Sequence, residues 1–266
     1  MKFFIKFGEN NHLNRSYVYK MFYFGSAKQY IDIEEKEEIK GQGDNGEATL
    51  KLNGSYRTII KNSNRIFSTN NEVNANIGIK IASLLPTYCI SEIDTDTHCY
   101  KTSKGYKIKP EFISLIKKHF PKADSALIIK DRNEFIQAFE NSFPLVKYDN
   151  IKYLDILPQG ITTDMVECFA DEVSEFVFYN KAKNNIACFT EKLNDGTIKY
   201  YIINKGNAYK ILFIKSSFFK EECEFRFVLP NRALYKPGRE YLVRGLNQKN
   251  MELHSLENLS SEFIVI

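Results

Sequence analysis

Residues 214–227 read IKSSFFKEECEFRF, and the end of this stretch has the alternation of a β-strand. Successive side chains of a strand point to opposite faces, so the residues fall into two sets. One face carries Phe225, Phe227 and Leu229, and the other carries Glu224, Arg226 and Val228. Glu224 and Arg226 are therefore predicted to be neighbours on one face, and Glu222 comes just ahead of the strand.

The charged residues of this stretch have two interpretations. A glutamate beside an arginine and near a second glutamate can form a catalytic site, in which the arginine orients the carboxylate. The same spacing also occurs in structural ion pairs on half-exposed strands, because ion-pair networks place charges side by side. Spacing alone favours the structural ion pair, and both interpretations stay open at this point.

Upstream of this stretch, the first third of the chain contains strand and helix patterns at short spacing. Strands are predicted at residues 1–7 and at Tyr17–Phe24, which is aromatic and β-branched. Ser26 has the spacing of a capping box for a helix that ends near Glu38. The pair Asn53-Gly54 predicts a hairpin between residues 47–53 and 55–62, because both residues tolerate a positive φ.

The middle and the end of the chain complete the predicted fold. Pro110 and Asp131 begin two helices of the middle region. Strands follow at about 186–192, 197–204, 208–215, 224–229, 240–244 and 262–266. The order of elements predicts the α+β class, with a mostly antiparallel twisted sheet and helices inserted in the middle of the chain. We expect a single domain over residues 1–266, which allows a helical insertion at about 108–180.

The composition is that of a globular protein. Of 266 residues, 43% are hydrophobic and 26% are charged, which excludes a disordered chain. The net charge of +4 is too small to indicate nucleic-acid binding, which would require a concentrated basic face. No apolar run reaches the roughly 18 residues of a membrane span. Five cysteines, an odd number without C-x-x-C spacing, favour a reducing compartment, so we expect a cytoplasmic protein without a metal site.

A glycine-rich stretch at Gly41–Gly46 matches G-x-G-x-x-G. A dinucleotide-binding fingerprint needs a strand before it and a helix after it, whereas here a charged helix end precedes and a hairpin strand follows. We therefore predict a flexible loop. Asp44 and Glu47 place two carboxylates on this loop, where they could face a site.

Several stretches resemble a bacterial family whose members are often encoded near phage-defence and abortive-infection genes. Lys215, Phe219 and the run Glu222–Arg226 resemble its signature K-x(3)-Y/F-x(2)-E/Q-x-E-Y/F-R. Phe22–Tyr30 resembles the family segment Y-R-F-G-S-x-x-Y-Y, and Gly43–Glu47 resembles the segment G-D-x-x-E-G. The order and the approximate spacing of these segments hold over most of the chain.

The layout of this family is similar to that of ADP-ribosyltransferases, which carry a late catalytic glutamate in an E-x-E motif. The resemblance implies that Glu224 is this glutamate and stabilises a positively charged transition state, a role that suits a carboxylate. It implies that Glu222 activates the acceptor. It also implies substrate contacts from Arg226, Lys215, Tyr23, Ser26, Asp44 and Glu47.

Two positions depart from the family pattern. Tyr23 stands where the family usually has an arginine, and Ala48 stands where it has a glycine. If that arginine binds a substrate phosphate, this chain lacks the contact or supplies it from another residue.

Three functions follow as hypotheses. The first is a nucleotide-handling transferase or glycohydrolase with NAD as substrate, acting as a toxin-like phage-defence effector on a protein or nucleic-acid target. The second is a metal-dependent nuclease in which Asp155, Glu222 and Glu224 gather Mg²⁺. The third is a non-enzymatic binding or sensor protein of a defence or phage-encoded system, in which the charges form a buried network.

The three hypotheses predict different surroundings for the glutamates. The first requires Glu222 and Glu224 to line a cavity with other polar groups. The nuclease requires three carboxylates that converge on one point. The binding protein requires Glu224 and Arg226 to satisfy each other away from any cleft.

Overall fold

The computed structural model describes residues 1–37, 47–54, 57–59, 66–68, 73–78, 80–154, 170–184, 188–192 and 195–265. The chain divides into two compact units. The first consists of Met1–Glu47, Leu84–Tyr153 and Lys215–Ile266, and the second of Ala48–Ser83 and Leu154–Ile214. Within these described ranges, no helix is both long enough and apolar enough to cross a bilayer.

The described strands are β1 (Lys2–Gly8), β2 (Met21–Phe24), β3 (Thr49–Gly54), β4 (Arg57–Ile59), β5 (Ile66–Ser68), β6 (Val73–Gly78), β7 (Thr87–Asp94), β8 (Cys99–Thr102), β9 (Gly105–Ile108), β10 (Ser125–Ile129), β11 (Lys147–Asn150), β12 (Lys152–Leu154), β13 (Ala170–Val173), β14 (Cys188–Lys192), β15 (Ile198–Ile203), β16 (Ile214–Ser216), β17 (Glu224–Val228), β18 (Arg239–Leu242) and β19 (Met251–Ser255). The described α-helices are α1 (Asn10–Tyr19), α2 (Ala27–Glu37), α3 (Lys80–Ser83), α4 (Thr95–His98), α5 (Pro110–His119), α6 (Arg132–Ser142) and α7 (Glu175–Lys183). Short 3₁₀ helices cover Lys205–Phe213, Ser217–Glu222 and Gln248–Asn250.

A six-stranded sheet forms the centre of the first unit. Its strand order is β11-β17-β7-β1-β10-β19, and every neighbouring pair is antiparallel. Strand β7 pairs on one side with β17 and on the other with β1. The predicted α+β class with a mostly antiparallel sheet is confirmed.

The two faces of this sheet carry separate hydrophobic clusters. On one face, Phe225 and Phe227 of β17 pack with Phe135 and Phe139 of α6, and the rings of Phe139 and Phe227 lie 4.2 Å apart between centroids. On the other face, β1 packs against α5 through residues that include Phe7. The alternation predicted for β17 is confirmed. Glu224 and Arg226 point away from Phe135, Phe139, Phe225 and Phe227, which we call the phenylalanine cluster.

Local capping explains where α2 and α6 begin. The Asp131 side chain accepts hydrogen bonds from the N–H groups of Asn133 and Glu134 and so begins α6, as predicted. The Ser26 hydroxyl accepts from the N–H of Gln29 at 3.3 Å and begins α2, which is also predicted.

The strand predicted at Tyr17–Phe24 is wrong in its first half. Residues up to Tyr19 belong to α1, which ends where Lys20 adopts a left-handed conformation with φ 57°. Strand β2 begins only at Met21. Aromatic and β-branched residues favour strands mainly through packing on a half-buried surface, and here Val18 and Tyr19 are exposed on a helix instead.

The hairpin predicted at Asn53-Gly54 is also wrong. Strand β3 does end at Gly54, but it pairs with β6, so that Asn53 lies opposite Asn74. Strand β4 pairs with β5. A turn signal specifies a hairpin only if the two flanking segments prefer each other as partners, and that preference depends on long-range packing.

Two further strand predictions fail near the end of the chain. Residues 205–213 form a 3₁₀ helix instead of a strand, and the Asn204 side chain caps it by accepting from the Gly206 N–H. In the predicted strand 262–266, the described residues contribute one isolated bridge, between Ile264 and Tyr106.

The range expected for a helical insertion, about 108–180, includes parts of both compact units. Helices α5 and α6 lie in that range but belong to the first unit, and the second unit takes up the chain from Leu154. The expectation of a single domain stays a prediction.

Candidate functional site

A cavity of about 190 Å³ lies in the first unit, between the ends of β1 and β7. The described pairing of these two strands ends at Ile5↔Ser91, although β1 continues to Gly8. Beyond that point both strands line the cavity, with residues 5–8 on one side and Cys89, Ile90 and Ser91 on the other. A break in strand pairing therefore creates the space.

Strand β17 and the segment before it bring two glutamates to this cavity. Glu224 and Arg226 lie opposite Ser91 and Cys89 of β7. Glu222 ends the 3₁₀ helix Ser217–Glu222, and Cys223 follows in a left-handed conformation with φ 48°. The carbonyl of Cys223 accepts a hydrogen bond from the N–H of Glu92 at 2.8 Å, which anchors this turn to β7.

Five charged side chains form what we call the buried ion network: Glu47, Lys215, Glu222, Glu224 and Arg226. All five line the cavity, and none has more than 9% of its surface exposed. Four of them lie in the stretch from Lys215 to Arg226, whereas Glu47 and Arg226 are 179 positions apart in the sequence.

Lys215 is the point where the three carboxylates of the buried ion network meet. Its Nζ lies 2.8 Å from Glu222 Oε2, 3.2 Å from Glu224 Oε2 and 3.9 Å from Glu47 Oε1. The positive charge of the ammonium therefore lies where the three negative charges converge and offsets their mutual repulsion.

Arg226 links two of the same carboxylates from the other side. Its Nε donates to Glu224 Oε1 at 2.6 Å. Its Nη1 and Nη2 donate to the two oxygens of Glu47 at 2.8 and 2.7 Å, which is the bidentate geometry that guanidinium groups favour. Glu224 is thus held between Arg226 and Lys215.

The pKa values of the buried ion network follow from these contacts. Burial by itself raises the pKa of the Glu224 carboxyl, but Arg226 and Lys215 outweigh burial and hold this pKa well below its usual range. Burial by itself lowers the pKa of the Lys215 ammonium, but Glu224 and Glu222 outweigh it and raise this pKa well above its usual value. Both groups are therefore charged at neutral pH.

We predict that Glu224 makes the stability of the protein sensitive to acid. Its folded-state pKa is depressed, so its contribution is present above the unfolded-state pKa of about 4.3 and is lost as the pH falls through the folded-state pKa. Thermal melts from about pH 7 down to pH 3 should show a steeper loss of stability below about pH 4.5 in the wild type than in Glu224→Gln. Equal slopes for both proteins would contradict the prediction.

The second oxygen of Glu222 faces a histidine. Glu222 Oε1 lies 3.3 Å from Nδ1 of His119, the last residue of α5. Both atoms are buried, and the contact lacks hydrogen-bond geometry, so neither atom has a hydrogen-bond partner among the described residues. Buried polar atoms are nearly always paired, so this oxygen and the facing imidazole nitrogen are among the few exceptions in the described part of the chain.

Lys6, Cys89, Tyr30 and Tyr153 also belong to the site, and the sequence did not single them out. The Lys6 Nζ donates to the Cys89 carbonyl at 2.7 Å, and burial lowers the pKa of this ammonium. Burial raises the pKa of the Cys89 thiol to about 12, so the thiol is neutral at neutral pH. The Tyr153 hydroxyl accepts from the N–H of Glu224 at 2.8 Å. The only signal for Lys6 was a single charge inside the apolar run Phe3–Phe7.

Of the predicted site residues, the structure brings Glu224, Glu222, Arg226, Lys215 and Glu47 together. It does not bring Tyr23 and Ser26 to the cavity lining. Tyr23 points away from the buried face of β2, is 48% exposed, and accepts a hydrogen bond from Gln29. Ser26 is buried, and its hydroxyl caps α2. Asp44 lies outside the described residues.

The residues expected for a metal site have a different arrangement. Asp155 lies outside the described residues. Within the described part of the chain, no group of three or more His, Cys, Asp or Glu side chains has an arrangement that could hold a metal ion. The three carboxylates that do converge are bridged by Lys215.

Known proteins add no information about this site. No protein-family model, no curated protein and no solved structure matches the chain. The family resemblance of the signature residues stays a prediction, and the function has to be inferred from the geometry of the cavity.

Proposed function

We propose that this chain is an enzyme that cleaves the N-glycosidic bond of a nicotinamide nucleotide such as NAD. It releases nicotinamide and passes the ADP-ribosyl group to water or to a target molecule, as a toxin-like effector of phage defence. The observation that carries the proposal is that Glu222 and Glu224 line one cavity while both bind the same Lys215. The role in defence rests on the resemblance of the signature residues.

The separation of the two carboxylates supports this chemistry. Because Glu222 Oε2 and Glu224 Oε2 both contact one Nζ, they are at most about 6 Å apart, so both carboxylates can contact one bound ribose. Lys215 stands between the two oxygens, so the ribose approaches both carboxylates from the cavity.

The charge of the buried ion network supports the assignment of Glu224. Within the buried ion network three carboxylates face two cations, Lys215 and Arg226, whereas the whole cavity lining, which adds Glu9, Lys6 and Lys122, is balanced at four acidic and four basic residues. The nicotinamide ring of NAD is cationic, and the ribose develops an oxocarbenium-like charge when the bond breaks. A carboxylate that is held ionised and does not have to reorient stabilises this charge in the transition state. Glu224 meets both conditions.

The proposed reaction assigns a separate role to Glu222. When the bond between ribose C1 and the nicotinamide nitrogen breaks, its electron pair leaves with nicotinamide. The oxygen of a water or acceptor hydroxyl then attacks C1, and the Glu222 carboxylate takes the proton from that oxygen. General bases of this kind contribute about 10²- to 10⁴-fold to the rate. Lys215 positions both carboxylates and does not react.

The size of the cavity supports binding of part of the substrate only. Ligand sites for drug-sized molecules measure about 300–1,000 Å³, so about 190 Å³ fits the nicotinamide and its ribose better than a whole dinucleotide. Lys122 lines the same cavity.

The proposal is tested by incubating the purified protein with NAD and measuring nicotinamide release by chromatography. Label transfer from NAD to protein, RNA and DNA is followed in parallel. We expect one nicotinamide released for each ADP-ribose formed or transferred. The proposal would be contradicted if the protein neither consumes NAD nor binds it in calorimetry. Mg²⁺-dependent cleavage of nucleic acid would favour the nuclease.

A second candidate function is non-enzymatic binding, in which the buried ion network only orders the sheet. The observation that favours it is the tight mutual pairing of Arg226 with Glu224 and Glu47 in a fully buried position. Replacing such a network by apolar residues is often neutral or stabilising, so its presence beside a cavity favours a role in function.

A further inference from the structure

Positive charge is concentrated in one segment of the first unit. Residues 101–122 contain seven lysines and one acidic residue, Glu111, which is a net charge of +6. The whole chain has a net charge of +4, so all other residues together carry −2. A concentrated basic segment of this kind attracts a polyanion even though the protein as a whole is nearly neutral.

The segment begins with an antiparallel hairpin formed by β8 and β9. In this hairpin Tyr100 lies directly opposite Lys107, so their side chains share one face. Lys109 lies two residues further along on the same face, and its Nζ is 5.6 Å from the centre of the Tyr100 ring. Tyr100 is 51% exposed.

A second aromatic ring is held on the same surface. Ile264 exchanges two backbone hydrogen bonds with Tyr106, at 2.9 and 2.8 Å, and so places Phe263 beside the hairpin. Lys107 Nζ lies 4.4 Å and Lys104 Nζ 5.7 Å from the centre of the Phe263 ring. Phe263 is 38% exposed. We call Tyr100, Lys104, Lys107, Lys109 and Phe263 the hairpin patch.

Gly105 allows the hairpin to pack closely against Ile264, the neighbour of Phe263. Its φ is +131°, and a Cβ at this position would lie 2.6 Å from the carbonyl oxygen of Ile264. Only glycine accepts both this conformation and this close approach. The hairpin and the residues that carry Phe263 are therefore fitted to each other.

We propose that the hairpin patch binds single-stranded nucleic acid. Lysines supply the contacts to phosphates, and the two exposed aromatic rings supply flat surfaces on which bases stack. An acidic protein partner would use the lysines but would have no need for paired exposed rings. A duplex keeps its bases stacked on each other and would present only phosphates to this surface.

Further basic residues lie between the hairpin patch and the cavity. Helix α5 follows the hairpin directly and is ten residues, or about 15 Å, long. Lys117 and Lys118 are exposed near its end, and Lys122 lies at the cavity. Basic residues thus lie at both ends of α5, at the hairpin patch and near the cavity.

The test is fluorescence anisotropy with labelled single strands of about 12 nucleotides, as DNA and as RNA, and with the matching duplex. The variants are Tyr100→Ala and the charge reversal Lys104→Glu/Lys107→Glu. The matched control is Lys181→Glu/Lys183→Glu, which makes the same change of charge at two exposed lysines of α7. Thermal melts confirm that each variant is folded.

We expect the control to bind within about two-fold of the wild type. Tyr100→Ala should weaken binding of single strands by at least about five-fold, the lower end of what one stacked base contributes. Charge reversal should weaken binding by more than about ten-fold and reduce the salt slope by roughly 1.4, since each lost phosphate contact removes about 0.7.

Three results would overturn the proposal: no binding of single strands near physiological salt, equal weakening by the control pair, or no effect of Tyr100→Ala together with equal competition by oligo-glutamate. The last result would identify an acidic protein as the partner. The proposal does not depend on the proposed reaction, because no residue of the hairpin patch lines the cavity.

Discussion

Glu224→Gln is expected to lower nicotinamide release from NAD by at least about 100-fold, the scale seen when one preorganised electrostatic contact to a transition state is removed. The substitution keeps the shape of the side chain and removes its negative charge. Glutamine can still contact Lys215 and Arg226, but it cannot stabilise the positive charge that develops on the ribose. The measurement is the initial rate of nicotinamide release per mole of folded protein.

The control for this prediction is Glu221→Gln, three positions upstream of Glu224 and exposed. It makes the same chemical change in the same segment without touching the cavity, so its rate should equal that of the wild type. If Glu224→Gln keeps a wild-type rate, Glu224 is not the catalytic carboxylate. If the wild type and Glu224→Gln are both inactive toward NAD and Glu224→Gln melts far below the wild type, Glu224 is a structural residue.

Arg226→Met is expected to destabilise the protein by about 3–5 kcal/mol, the range for breaking a buried ion pair from one side. Methionine fills part of the volume but donates no hydrogen bonds. The carboxylates of Glu224 and Glu47 then stay buried with three donated hydrogen bonds removed. The free energy of unfolding is measured in urea at neutral pH.

Two comparisons make this second prediction specific. Arg15→Met removes an arginine that pairs with Glu240 at the surface, where 51% of the arginine side chain is exposed, and should leave the free energy of unfolding almost unchanged, because exposed ion pairs contribute little to stability. Adding Glu47→Gln to Arg226→Met should recover part of the loss, because it removes one of the unpaired charges. A cost below about 1 kcal/mol for Arg226→Met would mean that the network contributes little to stability.

Period-two alternation was sufficient to assign the two faces of β17. Phe225 and Phe227 form part of the phenylalanine cluster, and Glu224 and Arg226 point to the cavity. The helix starts at Ser26 and Asp131 could also be predicted from the sequence, because a capping hydrogen bond joins residues two or three positions apart. These features depend on near neighbours in the chain.

Only part of the candidate site could be predicted from the sequence. The signature residues Lys215, Glu222, Glu224 and Arg226 lie within twelve positions of each other, and their spacing indicated a charged cluster. Glu47 was named from a resemblance, and its bidentate contact with Arg226 follows from no local rule. Lys6 and Tyr153 enter the site only because β1 and β12 pass beside it.

Amino-acid patterns alone were sufficient to predict the α+β class, the buried and charged faces of β17 and the helix caps, because each depends on residues a few positions apart. Long-range packing was needed to establish that β3 pairs with β6, that residues 205–213 form a 3₁₀ helix, and that three carboxylates meet at Lys215. Partner choice depends on which distant surfaces bury each other, and a buried charge is stable only where the fold brings opposite charges to it.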